Sequence, residues 1–198
     1  MYKGFKNLEK VQDIVNQSWD REVSGMQGVI DFAHLEAHEG SRYSLCVNKT
    51  ASTSLIVAFH VGAGTKQPHL IFNWKSEETG LINFYKGATW TAGSGSDITP
   101  INSNDNSTNT SILEGNSTSS FVANKVTQDP TGLSTAGATL IYCEPAWSTN
   151  QSAASGQAGR RNEHILEPDE TYVVQITAAS GGIWLNLDWY EHTPINID

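Results

Sequence analysis

From Val29 onward, hydrophobic and polar residues alternate along much of the chain with a period of two. The segment Ile183–Glu191 is the clearest case. Its apolar positions are Ile183, Leu185, Leu187 and Trp189. An α-helix would scatter these side chains around its axis, whereas a β-strand places them on one face. The pattern therefore predicts a strand whose apolar face lies in a core and whose other face carries Trp184.

Shorter alternating or apolar runs, separated by turn residues, fill much of the remaining chain. They are 43–47, 53–61, 68–75, 81–85, 121–126, 138–143, 162–166 and 171–178. The turn at 78–81 predicts that the third and fourth of these runs form a hairpin, and Ser180-Gly-Gly182 predicts a turn before the last strand. About ten short strands of this kind are typical of a sandwich or barrel. The fold predicted is all-β, a jelly-roll-like antiparallel β-sandwich.

The N-terminal segment has a different period. Leu8, Val11, Val15 and Trp19 recur at helical spacing, with charged residues on the other faces. A short amphipathic helix is predicted, which packs on the body or forms an arm that docks on a partner. The domain organisation is thus an N-terminal arm or helix over residues 1–24 and a jelly-roll-like β-sandwich over residues 25–198.

Two long polar segments interrupt the strands, at 91–120 and 147–159. Loops of this length in a compact domain are functional or mobile. Trp90 and Trp147 begin these loops, and with Trp184 they are the predicted surface aromatic contacts, because exposed aromatic side chains are typical of interaction surfaces. The alternative is that each covers a sheet edge or belongs to a second layer.

Composition and charge exclude several classes of protein. The net charge of −9 argues against nucleic-acid binding through phosphate neutralisation. No apolar run approaches the roughly 18 residues that a membrane span needs, and the first residues lack a hydrophobic signal region, so we expect a soluble chain that is made inside the cell. Cys46 and Cys143 lie in apolar runs, which predicts buried free thiols, with a disulfide left open.

Evidence for catalysis is weak. On a helix His34 and His38 would share a face, as in zincin-type metal sites, but the intervening residues do not match His-Glu-x-x-His. In a strand His34, Glu36 and His38 would share one face instead, which suggests a metal-dependent, cupin-like enzyme. The chain lacks the His-x-His pair of cupins, a Gly-x-Ser-x-Gly in a strand–helix context and a phosphate-binding loop. The sequence therefore predicts a protein that is not an enzyme and uses no cofactor or metal.

Several strand and loop segments resemble the decoration, or cement, proteins of tailed-phage capsids over roughly residues 30–191. The segments that carry the resemblance are 34–43, 68–72, 80–88, 159–172 and 185–191. The resemblance implies a jelly-roll-like body that strengthens the outer capsid surface of the virion. It would bridge subunits of the major capsid protein as a homo-oligomer, either a trimer or a dimer.

The resemblance also suggests which residues make these contacts. The 1–24 arm would reach a neighbouring subunit through Val11, Val15 and Trp19. Arg160 and Arg161 would form forked salt bridges with acidic capsid residues; the alternative is an ordinary surface or strand-start role. The alternative function is a carbohydrate- or host-receptor-binding module of the virion, supported by Trp90, Trp147 and the Asn-rich loops.

Overall fold

The structure is a computed structural model that describes residues 32–116, 120–146, 154–157 and 163–193. These ranges contain one helix and 14 strands. The elements are α1 (Phe32–Glu39), β1 (Arg42–Lys49), β2 (Ser54–Val61), β3 (Gln67–Ser76), β4 (Gly80–Lys86), β5 (Ser96–Ile98), β6 (Ile101–Asn102), β7 (Leu113–Asn116), β8 (Phe121–Ala123), β9 (Val126–Gln128), β10 (Thr139–Ala146), β11 (Ala154–Gln157), β12 (His164–Ile165), β13 (Glu170–Ala178) and β14 (Ile183–His192). The predicted arm at 1–24 lies outside the described residues.

The strands form two antiparallel sheets. The first sheet has the order β11-β3-β14-β1-β6, and β12 also pairs with β3. The second sheet has the order β10-β4-β13-β2-β7-β8, and it also contains β9, which joins β5 to β2. Side chains from both sheets meet in one apolar core, so the predicted all-β antiparallel sandwich is confirmed.

The inner faces follow the predicted alternation. In β14, Ile183, Leu185 and Leu187 are fully buried and Trp189 is 1% exposed. The Trp189 ring stacks on Tyr43 of β1 at 5.9 Å between centroids. Each fully buried aliphatic or aromatic side chain of this kind contributes about 1.5–3 kcal/mol, and the core predicted from the last strand is confirmed.

The predicted hairpin between the 68–75 and 81–85 runs is wrong. β3 lies in the first sheet and β4 in the second, so the turn at 77–79 carries the chain across the core. Sheets pack about 10 Å apart, and three or four extended residues span that distance. A turn of this length therefore serves a hairpin or a crossing equally well. The turn before β14 is confirmed, and it also crosses between sheets.

The polar segment predicted as a loop at 91–120 contains strands β5, β6 and β7. It belongs to an insertion, residues 87–138, between β4 and β10. The insertion adds β7 and β9 to β2 in the second sheet and β6 to β1 in the first. Its residues Ala88, Trp90, Leu133 and Ala138 pack with Ile56, Ala58, Tyr85 and Val173 on the outer side of the second sheet. We call those last four positions the covered face.

Two local predictions are corrected. Residues 32–39 form α1 rather than a strand, because Ala, Leu and Glu favour a helix and Gly40, at φ 72°, supplies the left-handed residue that ends one. Cys46 and Cys143 are exposed free thiols rather than buried ones. Cys46 follows the inward-facing Leu45, so it must point outward.

Candidate functional site

The outer side of the first sheet presents three adjacent strands, β1, β14 and β3, to solvent. Their backbone register places outward-facing side chains in three rows across the sheet. The rows are Ser44, Asp188 and Ile71; Cys46, Asn186 and Asn73; and Asn48, Trp184 and Lys75. We call these nine positions the open face. Cys46, Asn48, Lys75 and Asn186 are exposed, and the other five are half-buried.

Charge on the open face is largely compensated. Asp188 accepts two hydrogen bonds from Arg42, from Nε at 3.0 Å and from Nη2 at 2.6 Å. This pairing raises the pKa of Arg42, with the hydrogen bond as the largest cause. The second charge among the nine positions is Lys75, whose Nζ lies 5.5 Å from the centroid of the Trp184 ring. The remaining polar groups of the face are uncharged amides, a hydroxyl and a thiol.

Trp184 is held in place by the turn that precedes it. A Cβ atom added at Gly182 would lie 2.5 Å from Cη2 of the Trp184 ring, so a larger residue there would displace the indole. Glu77 fixes the turn by accepting a hydrogen bond from the Gly182 amide at 2.7 Å. The ring therefore stands on the open face in a defined position, as the sequence predicted for its side of the strand.

One end of the open face is closed by a compact polar cluster. Glu163 accepts a hydrogen bond from the Tyr190 hydroxyl at 2.5 Å and lies 2.8 Å from Nδ1 of His69. His69 is 8% exposed, and its ring contacts His192 at 4.3 Å between centroids. Burial raises the pKa of Tyr190, and the hydrogen bond to Glu163 acts in the same direction. Burial and the neighbouring His69 lower the pKa of His192, which favours a neutral imidazole there.

The outer side of the second sheet carries a different group. His60 lies between two carboxylates, with Nδ1 2.8 Å from Glu114 and Nε2 3.3 Å from Asp169. Phe121 stacks flat on the His60 ring at 4.2 Å and stays 42% exposed. Trp90 meets Phe121 edge-on at 6.3 Å. These contacts attach the insertion to the end of the second sheet.

Glu191 is a buried anchor that the sequence analysis missed. Its carboxylate is 1% exposed and accepts hydrogen bonds from Ser111 Oγ at 2.6 Å, from the Ile112 amide at 3.0 Å and from Trp189 Nε1 at 3.0 Å. Burial raises its pKa, and these donors oppose the shift. The residue therefore joins the last strand of the first sheet to the insertion.

The metal hypothesis finds no support in the described part of the chain. His34, Glu36 and His38 lie on α1 instead of sharing one face of a strand. Glu36 is 5% exposed and has its pKa raised to about 7, mainly by burial and then by the charge of Glu39. Among the residues that the structure describes, no three His, Cys, Asp or Glu side chains are arranged to hold a metal ion.

The predicted aromatic contacts do not form one surface. Trp184 lies on the open face, whereas Trp90 is half-buried beside the covered face. Trp90 thus has the covering role that the sequence analysis gave as the alternative. The other predicted contact residues lie outside the described residues. They are Val11, Val15, Trp19, Trp147, Arg160 and Arg161.

Sequence reasoning placed Asn186 on the same face of the last strand as Trp184, but it missed Asn48 and Asn73 as neighbours of that pair. The alternation in each strand gives their outward orientation, but only the register of β1 and β3 against β14 brings them together.

The described helix is too short to cross a membrane. Comparison of the chain with protein families, curated sequences and solved structures finds no match.

Proposed function

We propose that this chain is a structural, non-catalytic protein of a tailed-phage virion that decorates the outer capsid surface. It would bridge subunits of the major capsid protein and act as a homo-oligomer, a dimer or a trimer. The observation that carries the proposal is the two-sheet scaffold, whose long insertion is tied back onto both sheets. The strand and loop segments that resemble decoration proteins are the reason for proposing the major capsid protein as the partner.

The strand order supports the jelly-roll part of the proposal. The longest strands and β11 fall into two sets, β1-β14-β3-β11 and β2-β13-β4-β10. Along the chain, β1 to β4 alternate between the two sheets, and so do β10, β11, β13 and β14. A double-sheet arrangement of eight such strands is that of a jelly roll. We infer that the insertion is an elaboration of this framework between β4 and β10.

The proposed role requires a body that resists deformation. The core of both sheets is fully buried over most of its length, and close-packed interiors transmit force with little compression. Glu191 adds a hydrogen-bonded link from β14 to Ser111 and Ile112 of the insertion. A rigid body of this kind transmits load between two capsid subunits instead of unfolding between them.

The proposed role also requires repeated contacts. A capsid presents many equivalent sites, and a symmetric oligomer that binds several at once gains avidity without strong individual contacts. The contact residues proposed from the resemblance are Val11, Val15 and Trp19 in the arm and the pair Arg160 and Arg161. The contacts of these residues with the capsid are predictions.

Purified virions test the proposal. Mass spectrometry of mature particles should detect the chain in a fixed ratio to the major capsid protein, and cryo-electron microscopy should show its density outside the shell. Particles that lack the chain should release their genome at a lower temperature than complete particles. Adding the purified protein should raise that temperature again. Absence of the chain from mature virions, or density confined to the tail, would contradict the capsid role.

A matched pair of variants tests the contact residues. Replacing Arg160 and Arg161 by Ala should lower occupancy on particles more than replacing Lys75 and Lys125 by Ala, which removes the same charge elsewhere. Equal losses would show that net charge alone governs binding and would contradict the forked salt bridges.

A further inference from the structure

We propose that the open face is a binding site for a neutral polysaccharide, with Trp184 as the stacking ring and Asn48, Asn73 and Asn186 as the hydrogen-bonding groups. This role goes beyond capsid decoration and does not depend on it. It also relocates the carbohydrate-binding alternative, because Trp90, which first suggested it, lies beside the covered face.

The amide side chains match the chemistry of sugar hydroxyls. Each Asn side chain carries two N–H donors and a carbonyl acceptor, and a hydroxyl group also donates and accepts. Asn186 is exposed in the middle row, between Cys46 on one side and Asn73 on the other. Neighbouring strands lie about 4.8 Å apart, and outward positions along a strand repeat every ~6.6 Å. The three amides of the face therefore offer neutral donors and acceptors at regular strand spacings.

Trp184 supplies the apolar part of the site. An indole offers a large flat surface with a polar N–H at one edge, which suits the C–H face of a pyranose ring. The ring edge packs closely on Gly182, where an added Cβ would lie 2.5 Å from Cη2 of the indole. Asn48 lies directly opposite Trp184 in the register, so a sugar on the ring would meet an amide beside it.

Lys75 does not prevent this stacking. Its amine lies 5.5 Å from the ring centroid, and the residue is exposed. A cation–π contact at an exposed site contributes only about 0.5–1 kcal/mol. The flexible side chain can leave the ring and donate a hydrogen bond to a sugar hydroxyl instead.

Charge selects a neutral ligand. Arg42 is already engaged by Asp188 through two hydrogen bonds, which leaves Lys75 as the cation on the face for an acidic group. An anionic polymer would also meet the overall charge of −9, which repels it.

The native thiol in the middle row provides a direct assay. In a Cys143→Ser variant, Cys46 is the single thiol, and its rate of reaction with a maleimide reagent reports access to the open face. The probes are maltoheptaose, cellopentaose and chitopentaose, with an oligogalacturonate as the anionic comparison. We expect at least one neutral oligosaccharide to slow the reaction about fivefold or more, saturably, and the oligogalacturonate to have no effect.

The matched control uses the opposite side of the molecule. In a Cys46→Ser variant the reagent reads Cys143, which pairs with Asn83 in the second sheet, and the same sugars should leave its rate unchanged. Slowing at both thiols would indicate a general effect of the sugar on the reagent and would overturn the assignment. Failure of every neutral probe to protect Cys46 would overturn it as well.

Variants locate the contact. Trp184→Ala and Asn186→Ala should each weaken binding of the protecting sugar about tenfold or more, measured by calorimetry. Trp90→Ala should leave the affinity unchanged. Thermal melting of each variant separates lost binding from lost folding, and Trp184→Phe, which keeps a ring, should retain part of the affinity. Unchanged affinity in the folded Trp184→Ala variant would overturn the proposal, whatever the outcome of the virion experiments.

Discussion

The two outer sides of the sandwich differ although the same strand alternation produces both. On the covered face, Ala58 and Val173 are fully buried under the insertion. On the open face, the corresponding outward positions hold Asn186 and Asn73, and Asn186 is exposed. Small apolar side chains accept a further layer of chain, whereas amides keep a sheet surface hydrated because burying them without partners costs free energy. Side-chain choice at outward positions therefore decides which side of this sandwich is available to a ligand.

The anchor at Glu191 tests what keeps the insertion in place. Glu191→Ala should lower the free energy of unfolding by about 3–5 kcal/mol, because it leaves buried donors on Ser111, Ile112 and Trp189 without an acceptor. Urea denaturation measures the loss. Glu78→Ala, which removes a carboxylate from an exposed turn residue, is the control, and an equal loss in both variants would contradict the anchoring role.

Exchanging the character of the two faces tests the comparison itself. Val173→Asn should cost about 3 kcal/mol, because it loses apolar packing and places an amide under the insertion. Asn186→Val should change the free energy of unfolding by less than about 0.5 kcal/mol, since a substitution at an exposed position outside the packed core usually has little effect on stability. Chemical denaturation of both variants gives the difference. Equal costs would show that the two faces are covered alike.

The sequence predicted the inner faces better than the connections between strands. The alternation in the last strand identified Ile183, Leu185 and Leu187 as core, because burial of one sheet face imposes a period of two. The same rule applied to Leu45 and Val47 would have placed Cys46 outside. The hairpin was mispredicted because a short turn does not reveal whether the chain pairs with its neighbour or crosses to the other sheet.

The insertion and the site depend on contacts between distant parts of the chain. β5 has no apolar alternation, and it is fixed by pairing with β9, where Asp97 accepts a hydrogen bond from Thr127 at 2.7 Å. The role of Glu191 was not visible in the sequence because two of its donors, Ser111 and Ile112, lie about 80 residues away. The sequence predicted that Trp184 and Asn186 share a face, but not that Asn48 and Asn73 lie beside them, since strand register is set by packing and is not visible in one strand.

The helix α1 should respond to pH through Glu36. Its folded-state pKa of about 7 lies above the ordinary 4.5, with burial as the main cause. Folding therefore favours the protonated acid, and the associated stability is present below pH 4.5 and is lost as pH rises through 7. Glu36→Gln should be more stable than the parent by about 3 kcal/mol at pH 8, and the two should converge near pH 4. A difference that stays constant between these pH values would contradict the assignment.

The two cysteines give the smallest expected effect and the sharpest check on exposure. Cys46 lies in the middle row of the open face, and Cys143 lies on β10, the last strand at one edge of the second sheet. Both thiols are exposed, so both should react with a disulfide reagent in the folded protein. Cys46→Ser and Cys143→Ser should each change the free energy of unfolding by less than about 0.5 kcal/mol. A thiol that reacts only after denaturation would show that its side of the sandwich is covered, and for Cys46 this would remove the distinction between the two faces.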